Sequence, residues 1–438
     1  MSRPDFDLVL LALLILMQLG VALHARRTEG SWFSPGAAFA TFWLIMGAAP
    51  TLAIGLFPIT PGAMAVVLTF TVSVYVGSQF ATASRHRSRV PGRQADQDQS
   101  ATAASSSNPC PRAWLFAVLL GLASIPAAMS FLGAAGVSLS SLSSLTGWVQ
   151  AAARLTVARY AEGFVEPLTA RGGMALVYAG SLFGGVALAF GPNRWAKSTV
   201  VVPILGGLVV GLLTTMKLVL MLPFILAGAT YLVCRLSRST ASSSKVGLLE
   251  FARAGLAVAV AFAAILGAMS ARYSEATSLA TVLMTKLATY ALGHMSALSA
   301  WVDRGGLWVG ELKWGSLTFG GVYAFAGFGS RQPGLYDLVW TNDYTINSNV
   351  FTAFRGLVED FSLPVALALM SFTGWISGMA YAKVRNQNRP SGWWAVLAGF
   401  YVLVAWSFVT SIFTYNSVIA AFAIFFCYCA WPGRRPAT

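Results

Sequence analysis

Eleven apolar runs bounded by charge or proline dominate this sequence, at approximately residues 8–23, 37–57, 62–80, 113–133, 173–190, 198–214, 218–234, 251–270, 364–382, 392–412 and 415–431. A hydrocarbon core of about 30 Å needs on the order of 20 mostly apolar residues per helix, and about 17 at the least. Each run therefore predicts one membrane-spanning helix. The sixth and seventh share a stretch of 37 residues, too long for one crossing, which must turn at Thr214-Thr215-Met216-Lys217. Composition agrees: 56% of the 438 residues are hydrophobic and 10% are charged, against roughly a quarter charged in soluble proteins. A water-soluble globule is excluded, and the fold class that follows is an all-α integral membrane protein of about 11 spans (10–12).

Basic residues orient the spans, because short loops rich in Lys and Arg stay cytoplasmic. With the carboxyl terminus inside, 18 of the 29 basic residues fall on the inner side, from Arg26 and Arg27 to Arg434 and Arg435. Of the 15 acidic residues only Glu29, Asp96, Asp98 and Glu250 join them, so the outer side sums to zero and the inner side carries the whole net charge of +14. Attraction to anionic lipid heads accounts for that charge without a nucleic-acid partner. Cys110, Cys234, Cys427 and Cys429 all fall on or near the inner side, as reduced thiols should. The leader before the first run, Met1-Ser2-Arg3-Pro4-Asp5-Phe6-Asp7, is acidic where a signal peptide is basic, which predicts a retained helix with its amino terminus outside.

The chain divides accordingly: three spans in 1–80, a disordered cytoplasmic linker at 81–112, spans four to eight in 113–270 with an outer loop at 134–172, a large outer loop at 271–363, and three spans with a short tail in 364–438. The linker, like Ser239–Lys245, is small, polar and basic without apolar periodicity. Its Asp96-Gln97-Asp98 imitates a metal motif, but a disordered loop cannot preorganise a cation. In 134–172 the spacing of Leu145, Trp148, Val149, Ala152, Leu155, Val157 and Phe164 predicts an amphipathic surface helix. Residues 281–301 are apolar but interrupted by Lys286 and His294, and reading them as a span would turn the C-terminal cations outward. They are expected to form a helix within the outer domain.

The outer inventory limits the chemistry. Only His294 of the three histidines lies outside, so no His-rich metal site is expected, and neither Walker nor Rossmann glycine loops are present. What the outer side offers is cations beside carboxylates and aromatics: Arg154, Arg159, Lys217, Arg272, Arg304, Arg331, Arg355, Glu359 and Asp360, with Trp301, Trp308, Trp314, Tyr323, Tyr336, Trp340 and Tyr344 interspersed. Guanidinium groups grip phosphate bidentately, and aromatic faces suit sugars. The combination suits a lipid-linked, diphosphate-activated glycan.

Gly315-Ser316-Leu317-Thr318-Phe319, followed by Asn349-Val350-Phe351-Thr352-Ala353-Phe354-Arg355-Gly356-Leu357-Val358-Glu359-Asp360-Phe361, resembles the outer-loop pattern of bacterial oligosaccharide repeat-unit polymerases, the Wzy-type O-antigen polymerases. The span count and one large late periplasmic loop are similar to that family. Where it commonly has Asp-Phe-Gly, this chain has Asp360-Phe361-Ser362. The resemblance implies a GT-C-like enzyme of the bacterial inner membrane with a helical periplasmic lid and its active site facing the periplasm, working without nucleotide sugar, metal or other cofactor. Its partners would be undecaprenyl-diphosphate-linked glycans, membrane lipids and a chain-length regulator protein. An acceptor hydroxyl would displace the lipid diphosphate from the anomeric carbon, which asks for cations on the leaving group. On that reading Arg355, Glu359, Asp360 and His294 are the candidate catalytic groups, Arg154, Arg159, Lys217 and Arg272 hold the diphosphate, and Trp308, Trp314, Tyr344 and Asn349 meet the glycan.

Structural roles compete with each assignment. An outer arginine beside a glutamate serves as a salt bridge, His294 as a hydrogen-bonded residue of a packed helix, Lys217 as a snorkelling interfacial lysine, and the aromatics as an interfacial belt. Adjacent Glu359 and Asp360 point to different sides of a helix, so at most one faces a substrate. Asn349 and Thr352 are spaced as a helix cap. At the level of function, the rivals are an O-antigen ligase transferring glycan to lipid A core, and a polysaccharide or lipid transporter. The spans' near freedom from ionisable groups and the lack of an internal repeat weigh against the transporter.

Overall fold

The computed structural model describes residues 3–88, 110, 112–161, 166–238, 263, 265–267, 278–308, 310–328, 339–341, 346–348, 350, 352–386 and 390–431. In chain order the helices are α1 (Arg3–Glu29), α2 (Pro35–Ala48), α3 (Pro61–Ser88), α4 (Ala113–Gly121), α5 (Ser124–Ala134), α6 (Leu145–Ala161), α7 (Leu168–Phe190), α8 (Arg194–Ser198), α9 (Val201–Thr214), α10 (Lys217–Arg238), α11 (Leu279–Asp303), α12 (Gly320–Phe325), α13 (Ala353–Asn386), α14 (Gly392–Trp406) and α15 (Asn416–Ala430). Between α12 and α13, β1 (Val339–Thr341) and β2 (Ile346–Ser348) form an antiparallel pair with Trp340 opposite Asn347. Among the described residues eight helical stretches are long and apolar enough to cross a membrane, and α14 and α15 are shorter apolar helices. This is a helical, membrane-embedded protein. Ten of the apolar runs fall on these helices, whereas most of the run at 251–270, most of the linker with Asp96-Gln97-Asp98, and the Ser239–Lys245 loop lie outside the described residues.

The chain forms two compact units: Met1–Ser107 with Thr285–Lys383 and Gly399–Asn416, and Asn108–Met284 with Val384–Ala398 and Ser417–Thr438. In the first unit, proline opens α2 and α3, where its missing N–H costs nothing. The buried Gln18 amide of α1 donates to the Ala40 carbonyl and the Thr71 hydroxyl, 3.0 Å each, linking three helices. Glu29, at the end of α1, accepts from Ser78 (2.6 Å) and Gln79 (3.1 Å) of α3. Helices α3 and α13 approach through small residues: a Cβ at Gly77 would fall 1.8 Å from the Ser371 carbonyl oxygen, and one at Gly374 2.1 Å from that of Val74. Close backbone approach of this kind drives helix association where lipid removes the hydrophobic gain.

The sequence places α11 in an outer layer, but its C-terminal half packs along the α2 region. His294 Nε2 donates to the Met46 carbonyl (3.0 Å), the Ser299 hydroxyl accepts from the Thr60 N–H (3.0 Å), and Met295, Ala297 and Leu298 are buried. Of the two polar residues that argue against burial, Lys286 and His294, the second is accommodated through its Nε2 bond to the Met46 carbonyl.

The second unit centres on α7, whose Gly173, Gly180, Gly184 and Gly185 receive Ala127 of α5, Gly121 of α4, Val200 at the start of α9 and Ala227 of α10 in turn. Phe183 packs on Phe116, Phe425 and Tyr428. The long apolar stretch breaks where its length requires, with α9 ending at Thr214, Thr215 left-handed (φ 53°) and α10 starting at Lys217. Helix α6 forms over 145–161, burying Ala151, Ala152, Leu155 and Ala158 and leaving Leu145 and Val157 exposed.

Candidate functional site

The site grows from a defect in α13. Pro364 has no N–H to give the Asp360 carbonyl, and Ser362 leaves the helix altogether at φ 68°, ψ 161°. The two carbonyls stranded by the break are taken by a loop: Lys313 N–H donates to the Glu359 carbonyl and Trp314 N–H to that of Asp360, both 3.1 Å. In return the buried Asp360 carboxylate accepts from the N–H groups of Leu317 (3.2 Å) and Thr318 (2.6 Å). Four hydrogen bonds thus clamp residues 313–318 onto the end of the first α13 segment, satisfying groups that would otherwise be costly orphans.

The clamp bends the backbone sharply. Trp314 (φ 48°), Gly315 (φ 91°), Thr352 (φ 30°) and Ser362 all have positive φ. Three of the four non-glycine residues in that region among the described residues belong to this assembly. At Gly315 the requirement is double, since a Cβ there would also press to 3.3 Å from the Phe361 ring. Strain of this kind persists only where surrounding structure enforces it, and it gathers at functional sites.

Two cations converge on one carboxylate within the clamp. Arg355 Nε lies 2.5 Å from Glu359 Oε1, one helical turn along, and Lys313 Nζ lies 2.7 Å from Oε2. The Arg355 and Glu359 side chains are each 10% exposed, while that of Lys313 is 43% exposed. The trio carries a net positive charge, with its exposed cation outermost. Its base is rigid. Phe354 stacks on Phe70 (4.4 Å, 12°) and meets Trp43 at 4.6 Å, and the Ala353 N–H donates to the Ser407 carbonyl at 2.6 Å. The first turns of α13 are therefore packed among the spanning helices, where the sequence puts them in an outer loop.

Beside the trio opens an apolar cleft of about 510 Å³ lined by Trp314, Phe319, Val322, Tyr323, Phe328 and Phe361 among others. Its far wall is set by the end of α12. Gly327 (φ 77°) lets Phe328 N–H reach the Tyr323 carbonyl (3.1 Å) and Gly327 N–H that of Ala324 (3.2 Å), a Schellman closure that brings the Tyr323 and Phe328 rings to 5.8 Å. Two lining residues adjoin the trio along the chain: Trp314 follows Lys313, and Phe361 comes two residues after Glu359.

Of the residues singled out by sequence, the structure brings Arg355, Glu359, Asp360 and Trp314 together. Glu359 and Asp360 point to different partners. His294 is buried 5.6 Å from the Phe408 ring and 6.3 Å from Trp43, bonded to the Met46 carbonyl. Trp308 is 89% exposed in the turn after α11. In the second unit Arg154 on α6 is exposed and Lys217 at the start of α10 is half-buried, and the two helix ends are joined by the Thr156–Thr215 hydroxyl pair (3.0 Å). The side chain of Arg159, and Arg272, Tyr344 and Asn349 altogether, lie outside the described residues. Lys313 is the residue that sequence reading missed. Its one local signal is its place two residues before the Gly315–Phe319 motif. Among the described residues no three His, Cys, Asp or Glu side chains converge to hold a metal ion. No family model, curated protein or solved structure matches this chain.

Proposed function

We propose that the protein is a polysaccharide polymerase of the bacterial inner membrane, joining glycan repeat units carried on undecaprenyl diphosphate at the periplasmic face of an 11-span, GT-C-like bundle. The observation that carries this reading is the Arg355–Glu359–Lys313 trio, two cations held on one carboxylate beside an apolar cleft at a break in a membrane helix. A diphosphate leaving group needs cations fixed in advance, and fixed charges in a water-poor site are the strongest single lever on such a transfer. Arg355 and Lys313 supply them. The acceptor hydroxyl oxygen bonds to the anomeric carbon as the bond from that carbon to the diphosphate oxygen breaks, its electron pair leaving with the diphosphate. As a cation shifts from Glu359 to phosphate, the freed Glu359 carboxylate takes the hydroxyl proton. Asp360, held by two backbone N–H groups, keeps the loop in register and takes no part in proton transfer.

Arg355→Ala should abolish long-chain polymer while membrane levels of the protein stay unchanged, and wild-type chain lengths in that variant would remove Arg355 from the site. Deleting the gene in its host separates the readings. Lipopolysaccharide reduced to core plus one repeat unit supports the polymerase. Loss of all attached repeat units with lipid-linked chains intact points to a ligase, and an unchanged ladder rejects both.

A further inference from the structure

The aromatic cleft beside the trio has no role in the chemistry above. Its lining is almost wholly carbon: Phe319, Val322, Phe328 and Phe361 bring no hydrogen-bonding side chain, and Trp314 and Tyr323 bring one polar atom each. A sugar placed there would find only two side-chain polar atoms on the walls for its hydroxyls, whereas a hydrocarbon chain needs none. The cleft's volume of about 510 Å³ falls in the range of small-molecule sites, and at its edge the backbone of Trp314 continues directly into Lys313, whose side chain is 43% exposed. An occupant matched to both features is an amphiphile, apolar along its length and anionic at one end.

Resting on the polymerase reading, we infer that this cleft seats the first isoprene units of the polyprenyl diphosphate, with the phosphate nearest the chain against Lys313. The cleft then acts as a ruler. Gripping the carrier immediately behind its diphosphate fixes the anomeric carbon relative to Glu359, so orientation of the donor is set by the lipid and the glycan is left free to vary in sequence. The sharp turn at Gly315 and the Schellman closure at Gly327 hold the two walls apart.

The test uses the full-length protein in nanodiscs and a farnesyl diphosphate analogue bearing a diazirine on its chain. Photolabel is expected on the peptides spanning 314–331 and 356–383, displaced by excess farnesyl diphosphate but not by equal farnesol or phosphatidylglycerol. Val322→Trp and Ala326→Trp fill the cleft from exposed positions that the fold does not depend on, and each should reduce labelling at least tenfold. Lys313→Ala should erase the preference for the diphosphate over farnesol. Label on other segments, label insensitive to both tryptophans, or equal displacement by phosphatidylglycerol would overturn the cleft assignment. The polymerase reading is scored separately by the Arg355→Ala ladder. Polymer loss in that variant with label elsewhere sinks the cleft alone, whereas specific label in the cleft with an unchanged ladder on gene deletion sinks the polymerase alone.

Discussion

The clamp around the α13 break and the α7 core of the second unit solve the same problem, bringing backbones close inside a membrane protein, by opposite means. Around α7 the close contacts are made by Gly173, Gly180, Gly184 and Gly185, and what they bury is neutral: Ala127, Val200, Ala227 and the Thr230 hydroxyl, which is bonded to its own helix at Leu226. At the α13 break the helix surrenders backbone bonds, a loop replaces them, and charged groups are held where water is scarce. The first arrangement is a packing solution available to any helix pair. The second spends stability on backbone strain and on desolvating an ion cluster, which is worthwhile only if the resulting geometry does something. Sensitivity should therefore divide: changes in the clamp should strike activity, and changes around α7 should strike folding.

The largest effect expected within this division comes from Asp360→Asn. The amide keeps one acceptor for the N–H groups of Leu317 and Thr318 and turns a donor toward the other. The loop carrying Lys313 then loses its anchor, and a displacement of about 1 Å at such a site costs on the order of 100-fold in rate. Polymer formation in isolated membranes should fall by about that factor, with faster proteolysis near residue 313 and an unchanged content of folded protein. An unaltered rate would mean that the clamp is mere packing and would erase the contrast.

Gly185→Ala tests the other side. The added methyl would lie 2.1 Å from the Thr230 hydroxyl oxygen and 2.2 Å from the Ala227 carbonyl oxygen, so α7 and α10 must separate. Overpacking of this kind costs roughly 1–3 kcal/mol. A lower thermal midpoint in detergent is expected, with polymerisation per folded molecule retained. Activity per folded molecule falling as far as in Asp360→Asn would show that the α7 core is coupled to the reaction and is not a passive frame.

What was legible in the sequence follows the same division. Spans were readable because the bilayer dictates their length, and the break at 214–217 because 37 apolar residues exceed one crossing. The opposed directions of Glu359 and Asp360 follow from helical geometry alone. The Glu359–Lys313 pairing spans 46 residues and has no local periodicity to betray it. Nor could sequence show that Phe354 stacks on Phe70, or that His294 finds the Met46 carbonyl, since both depend on which helices become neighbours. The Gly374-Trp375-Ile376-Ser377-Gly378 spacing carries half of the α3–α13 contact, but its partner Gly77 is only one of the chain's 42 glycines until the fold selects it.

The smallest expected effect is also the sharpest comparison, because each unit has a strained non-glycine residue beside a helix break. Ser362 sits at φ 68°, ψ 161°, a region essentially reserved for glycine, and Thr215 at φ 53°, ψ 23°, the ordinary left-handed region. Glycine at either site relieves the side-chain clash but costs roughly 0.5–1 kcal/mol in extra freedom of the unfolded chain. At Ser362 the strain removed is about 1–3 kcal/mol, so Ser362→Gly, which restores the Asp-Phe-Gly of the resembled pattern, should raise the thermal midpoint slightly. At Thr215 the change also deletes the 3.0 Å hydroxyl bond to Thr156, worth about 1 kcal/mol, so Thr215→Gly should leave the midpoint nearly unchanged. Ser362→Ala relieves nothing and should preserve the strain. If Ser362→Gly instead lowers the midpoint, the serine hydroxyl itself holds the break open, and the loop clamp shares that task with a side chain that the comparison assigns no part.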